Sequence, residues 1–283
     1  MSETLVSLWT KVRHRLEAAG VDSPVLDARL LLEAGAGVTR IEIITDPRRP
    51  VTEEQVAAVE VLAKRREMRE PVSHIVGHKH FWTLELAVTP AVLTPRPETE
   101  FVVEAALQAL PVDRTARVLD LGAGSGAILI TILRERPLAT GVGVDLSPAA
   151  LDVAKQNADA IGVADRIEWR VGDWDAGIDE AFDVVVSNPP YIATGEIETL
   201  APEVARYEPR LALDGGLDGL DAYRVITAAL PRLLKSSGLF ALEVGWKQAE
   251  AVEALAQAAG LTTLEPRRDL SGIPRVVVGT CAA

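Results

Sequence analysis

From about residue 115 the chain repeats one pattern: a short run of apolar, mostly β-branched residues, then an amphipathic stretch of helical period. The runs are RVLDL, GVGVD, RIEWRV, FDVVVSN and GLFALEV; the helical stretches are AILITILRER, PAALDVAKQNADAIG, DAYRVITAALPRLL and KQAEAVEALAQAAG. Strands that are apolar throughout need cover on both faces, and strands joined through helices run parallel. The alternation therefore predicts an α/β fold, a mostly parallel sheet between two helical layers. Two last runs, TTLEP and PRVVVGT, are separated only by RDLSGI. That link is too short for a parallel crossover, so seven strands are expected, with an antiparallel edge strand at the C-terminal end.

Ahead of the sheet the pattern differs. Residues 1–75 read as a small helical domain. Ser23 with Pro24 opens one helix, and Thr52 with Gln55 stands at capping-box spacing to open another, which Pro71 closes. Residues 76–100 hold the alternating FWTLELAV, expected as a hairpin, and the proline-stiffened loop TPRPETE. Glu98, Thr99 and Glu100 then place acid at the positive end of a helix over FVVEAALQAL. Residues 101–283 form the remaining domain.

The net charge is −12, of which −11 falls after residue 75. Nucleic-acid binders neutralise phosphates with clustered Lys and Arg, and no such excess exists here, so no direct nucleic-acid contact is expected. No apolar run approaches the ~20 residues that span a bilayer, and no signal-type apolar block opens the chain, so no membrane association is expected. The one cysteine, Cys281, can form neither an intrachain disulfide nor a thiolate metal site. A reducing cytoplasm fits. His74, His78 and His80 lack a partner thiolate or carboxylate pattern, so no metal is expected.

In VLDLGAGSGAI, Gly122, Gly124 and Gly126 fall in the first strand-to-helix turn, with Ala123 and Ser125 between them. Asp145 ends the next strand, where a carboxylate can accept hydrogen bonds from ribose hydroxyls. A dinucleotide turn spaces its glycines G-x-G-x-x-G. Here the spacing is G-x-G-x-G behind Asp120, similar to the arrangement that Rossmann-like methyltransferases use for S-adenosylmethionine. At the third strand end, Asp173 is then available to an adenine amino group and Trp174 as an apolar wall, although Trp174 could equally serve the core.

SNPPYI, at 187–192, stops the strand FDVVV. Proline cannot continue a central strand, and it pushes the residue before it into extended geometry. Asn188 is thus held on stiff backbone at a strand end, where ligands of open α/β sheets bind. Methyl transfer to nitrogen needs a localised lone pair, which a planar amide or aromatic amine lacks. Fixed oxygens accepting from both N–H groups favour pyramidal nitrogen and stabilise its developing positive charge. The Asn188 side-chain carbonyl and the Pro189 backbone can be those oxygens, with Tyr191 a flat face for the planar group. Positioning does most of the work, so no strong base is demanded.

Taken together, PVSHIVGHKHFW, LTPRPETE, LDLGAGSGAI, VGDW, SNPPYI, YEPRLALDGGLDGLDAYR and DLSGIPRVV resemble the HemK/PrmC family, the peptide chain release factor N(5)-glutamine methyltransferases. The resemblance covers nearly the whole chain. One departure is His74, where tyrosine is common. The resemblance implies a Rossmann-like class I methyltransferase fold behind a helical domain that docks the partner. It implies S-adenosylmethionine as cofactor and S-adenosylhomocysteine as product. The acceptor would be the glutamine amide in the Gly-Gly-Gln motif of class 1 release factors. Gly122 to Gly126, Asp145, Asp173, Trp174 and Asn188 would contact the cofactor. Asn188, Pro189, Pro190 and Tyr191 would bind the glutamine, and Arg96 and Glu98 of PRPETE would wall the pocket. Two other readings stand beside this one. The same tetrapeptide suits the amine of an adenine or guanine in nucleic acid, and an adenosylmethionine-binding assembly protein would need no turnover. Glu243, ending GLFALEV, could touch substrate or face solvent.

Overall fold

A computed structural model describes residues 3–281. In chain order, helices α1 (Leu5–Ala18), α2 (Pro24–Ala36), α3 (Arg40–Thr45), α4 (Glu53–Glu67) and α5 (Val72–Val76) come first. A two-stranded sheet follows, β1 (His78–Phe81) with β2 (Leu84–Ala87), then α6 (Glu100–Ala109). The remainder runs β3 (Ala116–Leu121), α7 (Ala127–Glu135), β4 (Ala139–Asp145), α8 (Pro148–Ile161), β5 (Ile167–Val171) and β6 (Phe182–Ser187). It closes with α9 (Pro202–Tyr207), α10 (Asp221–Leu233), β7 (Leu234–Glu243), α11 (Ala249–Ala258), β8 (Leu261–Thr263), β9 (Arg267–Arg268) and β10 (Pro274–Cys281).

Two compact units result: residues 1–78 with 201–207, and 79–200 with 208–283. In the first, apolar residues at helical spacing in α1, namely Leu5, Leu8, Val12 and Leu16, meet Leu31, Leu32 and Val59 of α2 and α4. Thr52 and Gln55 form the reciprocal capping box at the head of α4. Ser23 occupies the N-cap of α2 but makes no side-chain capping bond, so Pro24 alone marks that start. Helix α4 ends at Glu67, four residues before Pro71, and Pro71 instead caps α5. The short α9 belongs to this unit. Its Glu203 carboxylate accepts from Arg69 through Nε and Nη2, both at 2.7 Å, and from Arg66 at 2.9 Å. Arg66 is buried and also donates to Asp27 at 2.6 Å. Removing one partner from such a cluster would strand a buried charge, at a cost of about 3–5 kcal/mol.

In the second unit the strand order is β5-β4-β3-β6-β7-β10-β8, with β9 added to β10. Neighbours from β5 to β7 are parallel, and β10 runs antiparallel to both β7 and β8. The mostly parallel sheet with its antiparallel departure at the C-terminal side is as the alternation predicts. The detail differs: β10 sits one place in from the edge with β8 outside it, and the two-residue β9 makes eight strands. Side chains alternate between the faces. Val184 and Val186 join one core with Val102, Ile128 and Ile132, while Val185 joins the other with Tyr223, Ile226, Leu230 and Val252. Each fully buried aliphatic contributes roughly 1.5–3 kcal/mol. The register brings the C-terminal residues Leu121 and Ser187 side by side, and pairs Asp145 with Val171. The Ser187 hydroxyl donates to the Leu121 carbonyl at 2.6 Å, locking two strand ends together. The chain leaves β3 and β6 at the point where strand order reverses, the place where open α/β sheets form a crevice.

Candidate active site

At these strand ends lies a cavity of about 510 Å³, within the size range of small-molecule sites. Its wall includes Gly122, Ala123, Gly124, Ser125, Asp145, Asp173, Trp174, Asn188, Pro190, Arg96 and Thr99. All four strand ends foreseen as ligand-binding therefore open into one space.

The turn between β3 and α7 carries Gly126 at φ +78°, where a Cβ would also lie 2.7 Å from Ile130 Cδ1 and 3.1 Å from Trp169. Glycine is required there on both counts. The Asp145 carboxylate organises the same turn. One oxygen accepts from the Gly124 N–H and the other from the Ser147 N–H, both at 2.8 Å. Each oxygen retains a lone pair for a further donor, so the carboxylate can shape the turn and still receive hydroxyls. Asp173 is exposed at the cavity wall. Trp174 lines the cavity and also packs against the core, with its ring 3.5 Å from where a Gly122 Cβ would stand.

SNPPYI is divided between two cavities. Asn188 and Pro190 face the large one, while Tyr191 faces a smaller cavity of about 240 Å³ lined by Arg96, Glu98, Tyr191, Glu243, Val244 and Arg275. Arg96 lines both. Pro189 is buried and is not part of either wall. The Asn188 side-chain N–H donates to the Thr99 hydroxyl at 3.1 Å, which leaves the carbonyl oxygen as the group on offer. Burial, with a smaller push from Glu243, raises the Tyr191 phenol to about 12. It stays neutral at any working pH.

Glu243 faces neither solvent nor the large cavity. It is buried at the end of β7, and burial raises its carboxyl to about 7. Asp120, also fully buried, is raised to about 7 for the same reason. Four further residues hold the site and were not singled out from sequence. Glu208 accepts from the Thr94 N–H at 3.3 Å and from Arg96 at 2.5 Å, so it pins the TPRP loop; burial raises its carboxyl. Asn157 on α8 bonds both Ala87 and Ser125, tying β2 to the glycine turn. Gly215 passes so near SNPPYI that a Cβ would stand 2.8 Å from the Pro190 carbonyl and 2.9 Å from Tyr191 Cα. Gln248 donates to the Tyr191 carbonyl at 2.9 Å. The glycines of LDGGLDG and the glutamic acid of YEPR were visible as motifs. Their service to the Pro190–Tyr191 backbone and to Arg96 was not.

His74 is buried in α5, while His80 is exposed 3.5 Å from Glu85. Among the described residues no group of three or more His, Cys, Asp or Glu could hold a metal ion, and no helix is long and apolar enough to cross a membrane.

Comparison with known proteins agrees with this geometry. Residues 7–77 match the PrmC N-terminal domain family and residues 99–214 the methyltransferase small domain family. The chain is 52% identical to a release factor glutamine methyltransferase of Caulobacter vibrioides over 280 residues, covering 99% of this chain and 97% of that one. It is 47% identical to the protein of the same description from Rhodospirillum rubrum, covering 93% of this chain and 81% of the relative. In fold it is similar to a methyltransferase from Pyrococcus furiosus, with a TM-score of 0.54 and 15% identity over 72% of this chain and 92% of that one.

Proposed function

This chain belongs to the release factor glutamine methyltransferase family, and from that premise we propose that it methylates the side-chain amide of the glutamine in the Gly-Gly-Gln motif of class 1 release factors. S-adenosylmethionine supplies an electrophilic methyl group on a sulfonium and leaves as S-adenosylhomocysteine. The large cavity suits that nucleoside. The turn of Gly122 to Gly126 lets backbone approach it, Asp145 accepts from its ribose, Asp173 from its adenine amino group, and Trp174 gives an apolar wall.

The observation that carries the reading is the setting of Asn188. Its N–H is already given to Thr99, so its carbonyl oxygen is left to accept from the acceptor amide. The second acceptor is assigned to the Pro189 carbonyl, on a residue with no N–H of its own. Pro189 itself is buried outside both cavity walls, so the amide would have to reach this carbonyl between Asn188 and Pro190, which do line the large cavity. Tyr191 in the smaller cavity offers the planar amide a neutral flat face, with Pro190, Arg96 and Glu98 around it. Held by both N–H groups, the amide nitrogen presents its lone pair as its bond to the methyl carbon forms and the carbon–sulfur bond breaks. One N–H proton then leaves to solvent. Alignment does the work, so no base of matched pKa is required.

Residues 1–75 are assigned to holding the release factor, and Ile41 and Ile44, both exposed, give that surface apolar contact points. Residues 76–100 serve as hairpin and linker to the methyltransferase domain of 101–283. A translation factor as acceptor puts the reaction in the cytoplasm. The acidic total of −12 counts against an adenine or guanine in nucleic acid as acceptor.

Mass spectrometry of a release factor incubated with enzyme and cofactor tests the reading. A gain of one methyl on the Gly-Gly-Gln glutamine is expected, and equal transfer to a Gln→Ala release factor would refute it. Asn188→Ala should retain cofactor binding and lose turnover. Unchanged turnover would favour a binding protein instead.

A further inference from the structure

We propose that Trp246 and Leu217 form an apolar ledge for the main chain next to the acceptor glutamine, and that the ledge favours glycine there. The inference rests on the function proposed above and extends it from the glutamine side chain to the chain that carries it.

Trp246 is 66% exposed and Leu217 94%. An isolated exposed apolar residue needs no explanation. These two differ because each is presented from backbone fastened to Tyr191 by one side chain. Gln248 donates to the Tyr191 carbonyl at 2.9 Å and to the Gly219 carbonyl at 3.3 Å, and its own oxygen accepts the Gly245 N–H at 3.0 Å. The approach is close on both sides. A Cβ on Gly219 would stand 2.4 Å from the Tyr191 carbonyl oxygen, and one on Gly245 would stand 3.0 Å from Cδ2 of the Tyr191 ring. Leu217 comes two residues before Gly219, and Trp246 one residue after Gly245. At about 3.8 Å per residue, both Cα atoms lie within about 8 Å of backbone that touches Tyr191.

The leucine's turn is stiffened by further bonds. The Gly215 N–H donates to the Ile192 carbonyl and the Thr194 N–H to the Gly216 carbonyl, both at 2.8 Å. The Asp214 carboxylate accepts from the Thr194 hydroxyl at 2.6 Å and the Gly216 N–H at 3.1 Å. On the tryptophan's side, Lys247 holds φ +69° without being glycine, backbone strain of the kind that clusters at binding sites. Its ammonium stands 3.9 Å from the centroid of the Trp246 ring and steadies the indole. Side chains ordered beforehand lose little entropy when a partner covers them.

Reach identifies the occupant. A glutamine whose amide lies against Tyr191 has its Cα four bonds back, about 5 Å away. Its main chain therefore returns to the surface beside Tyr191, where Trp246 and Leu217 stand. The two residues ahead of that glutamine are glycines. A glycine peptide plane can lie flat on an indole because no Cβ props it away. With −11 of net charge after residue 75, the surface suits a polypeptide and not a phosphate chain.

The test uses the full-length enzyme and a whole release factor. Trp246→Ala should raise KM for the release factor about tenfold, with kcat and S-adenosylmethionine affinity within about twofold, and Leu217→Ser should raise KM about threefold. Trp246→Phe should keep most of the wild-type KM. Leu138→Ser removes an exposed apolar residue where β4 begins, at the opposite end of the sheet, and should leave KM unchanged. A release factor with alanine in place of the glycine before the glutamine gives the specific readout: wild type should discriminate against it, and Trp246→Ala should do so much less. An unchanged KM in Trp246→Ala or Leu217→Ser, an equal rise in Leu138→Ser, or full glycine preference in Trp246→Ala would overturn the ledge. Should wild type label no release factor, the proposed function fails; binding then decides the ledge, since equal release factor affinity in wild type and Trp246→Ala would refute it.

Discussion

Replacing Asn157 by alanine isolates one contact that ties the glycine turn to the rest of its unit. The side chain is 2% exposed. Its carbonyl accepts the Ala87 N–H at 2.7 Å, and its NH2 donates to the Ala87 carbonyl at 3.1 Å and the Ser125 carbonyl at 2.9 Å. Alanine leaves one N–H and two C=O groups without that partner. At roughly 1 kcal/mol for each bond, with a further increment for the vacated space, the loss is about 3–4 kcal/mol. For a unit of this size, that corresponds to a fall of roughly 6–16 °C in its unfolding midpoint. Urea denaturation and differential scanning calorimetry measure both quantities. Because Ser125 lies in the cavity wall, S-adenosylmethionine affinity by titration calorimetry should weaken in parallel. Asn157→Asp should be worse than alanine at neutral pH. It retains an acceptor for Ala87 N–H but turns a carboxylate towards two carbonyls. A loss below about 1 kcal/mol in Asn157→Ala, with unchanged cofactor affinity, would refute the assignment of this residue as the tie.

Three other outcomes follow from the same geometry. Asp120, raised to about 7 by burial, binds its proton more tightly folded than unfolded, so the stability it adds below about pH 4 is lost as pH rises through 7. Wild type should therefore lose roughly 2 kcal/mol relative to Asp120→Asn between pH 5 and 7 in urea titrations, and parallel curves would count against it. Gly126→Ala forces a Cβ into Ile130 at an unfavourable φ, and should cost about 1–3 kcal/mol of stability together with cofactor affinity in calorimetry. Glu208→Ala releases Arg96 and the Thr94 N–H, so KM for the release factor should rise with cofactor affinity within about twofold; an unchanged KM would dismiss Glu208 as the loop's anchor.

Local rules made much of this protein legible. Period and β-branching identified the sheet, because a strand buried on both faces admits only apolar residues. The glycine turn could be read because positive φ beside crowded neighbours tolerates no side chain, and the halt at Asn188 because proline ends a strand wherever it occurs. The antiparallel departure at the C-terminal side was likewise fixed by the length of one short link.

The remainder depended on residues far apart in the chain. Asn188 meets Thr99 across 89 positions, Arg96 meets Glu208 across 112, and Asn157 meets Ala87 across 70. No spacing announces such pairs, since each partner is an ordinary polar residue until folding removes water from around both. Glu243 read equally well as a substrate contact or a solvated end of strand. Its burial, and the division of SNPPYI between two cavities, came from how the strands and helices of the second unit pack. The sequence alone determined which groups stand at the strand ends, because those positions follow from backbone chemistry. Tertiary structure alone decided which way they point, because orientation belongs to hydrogen bonds closed across the fold.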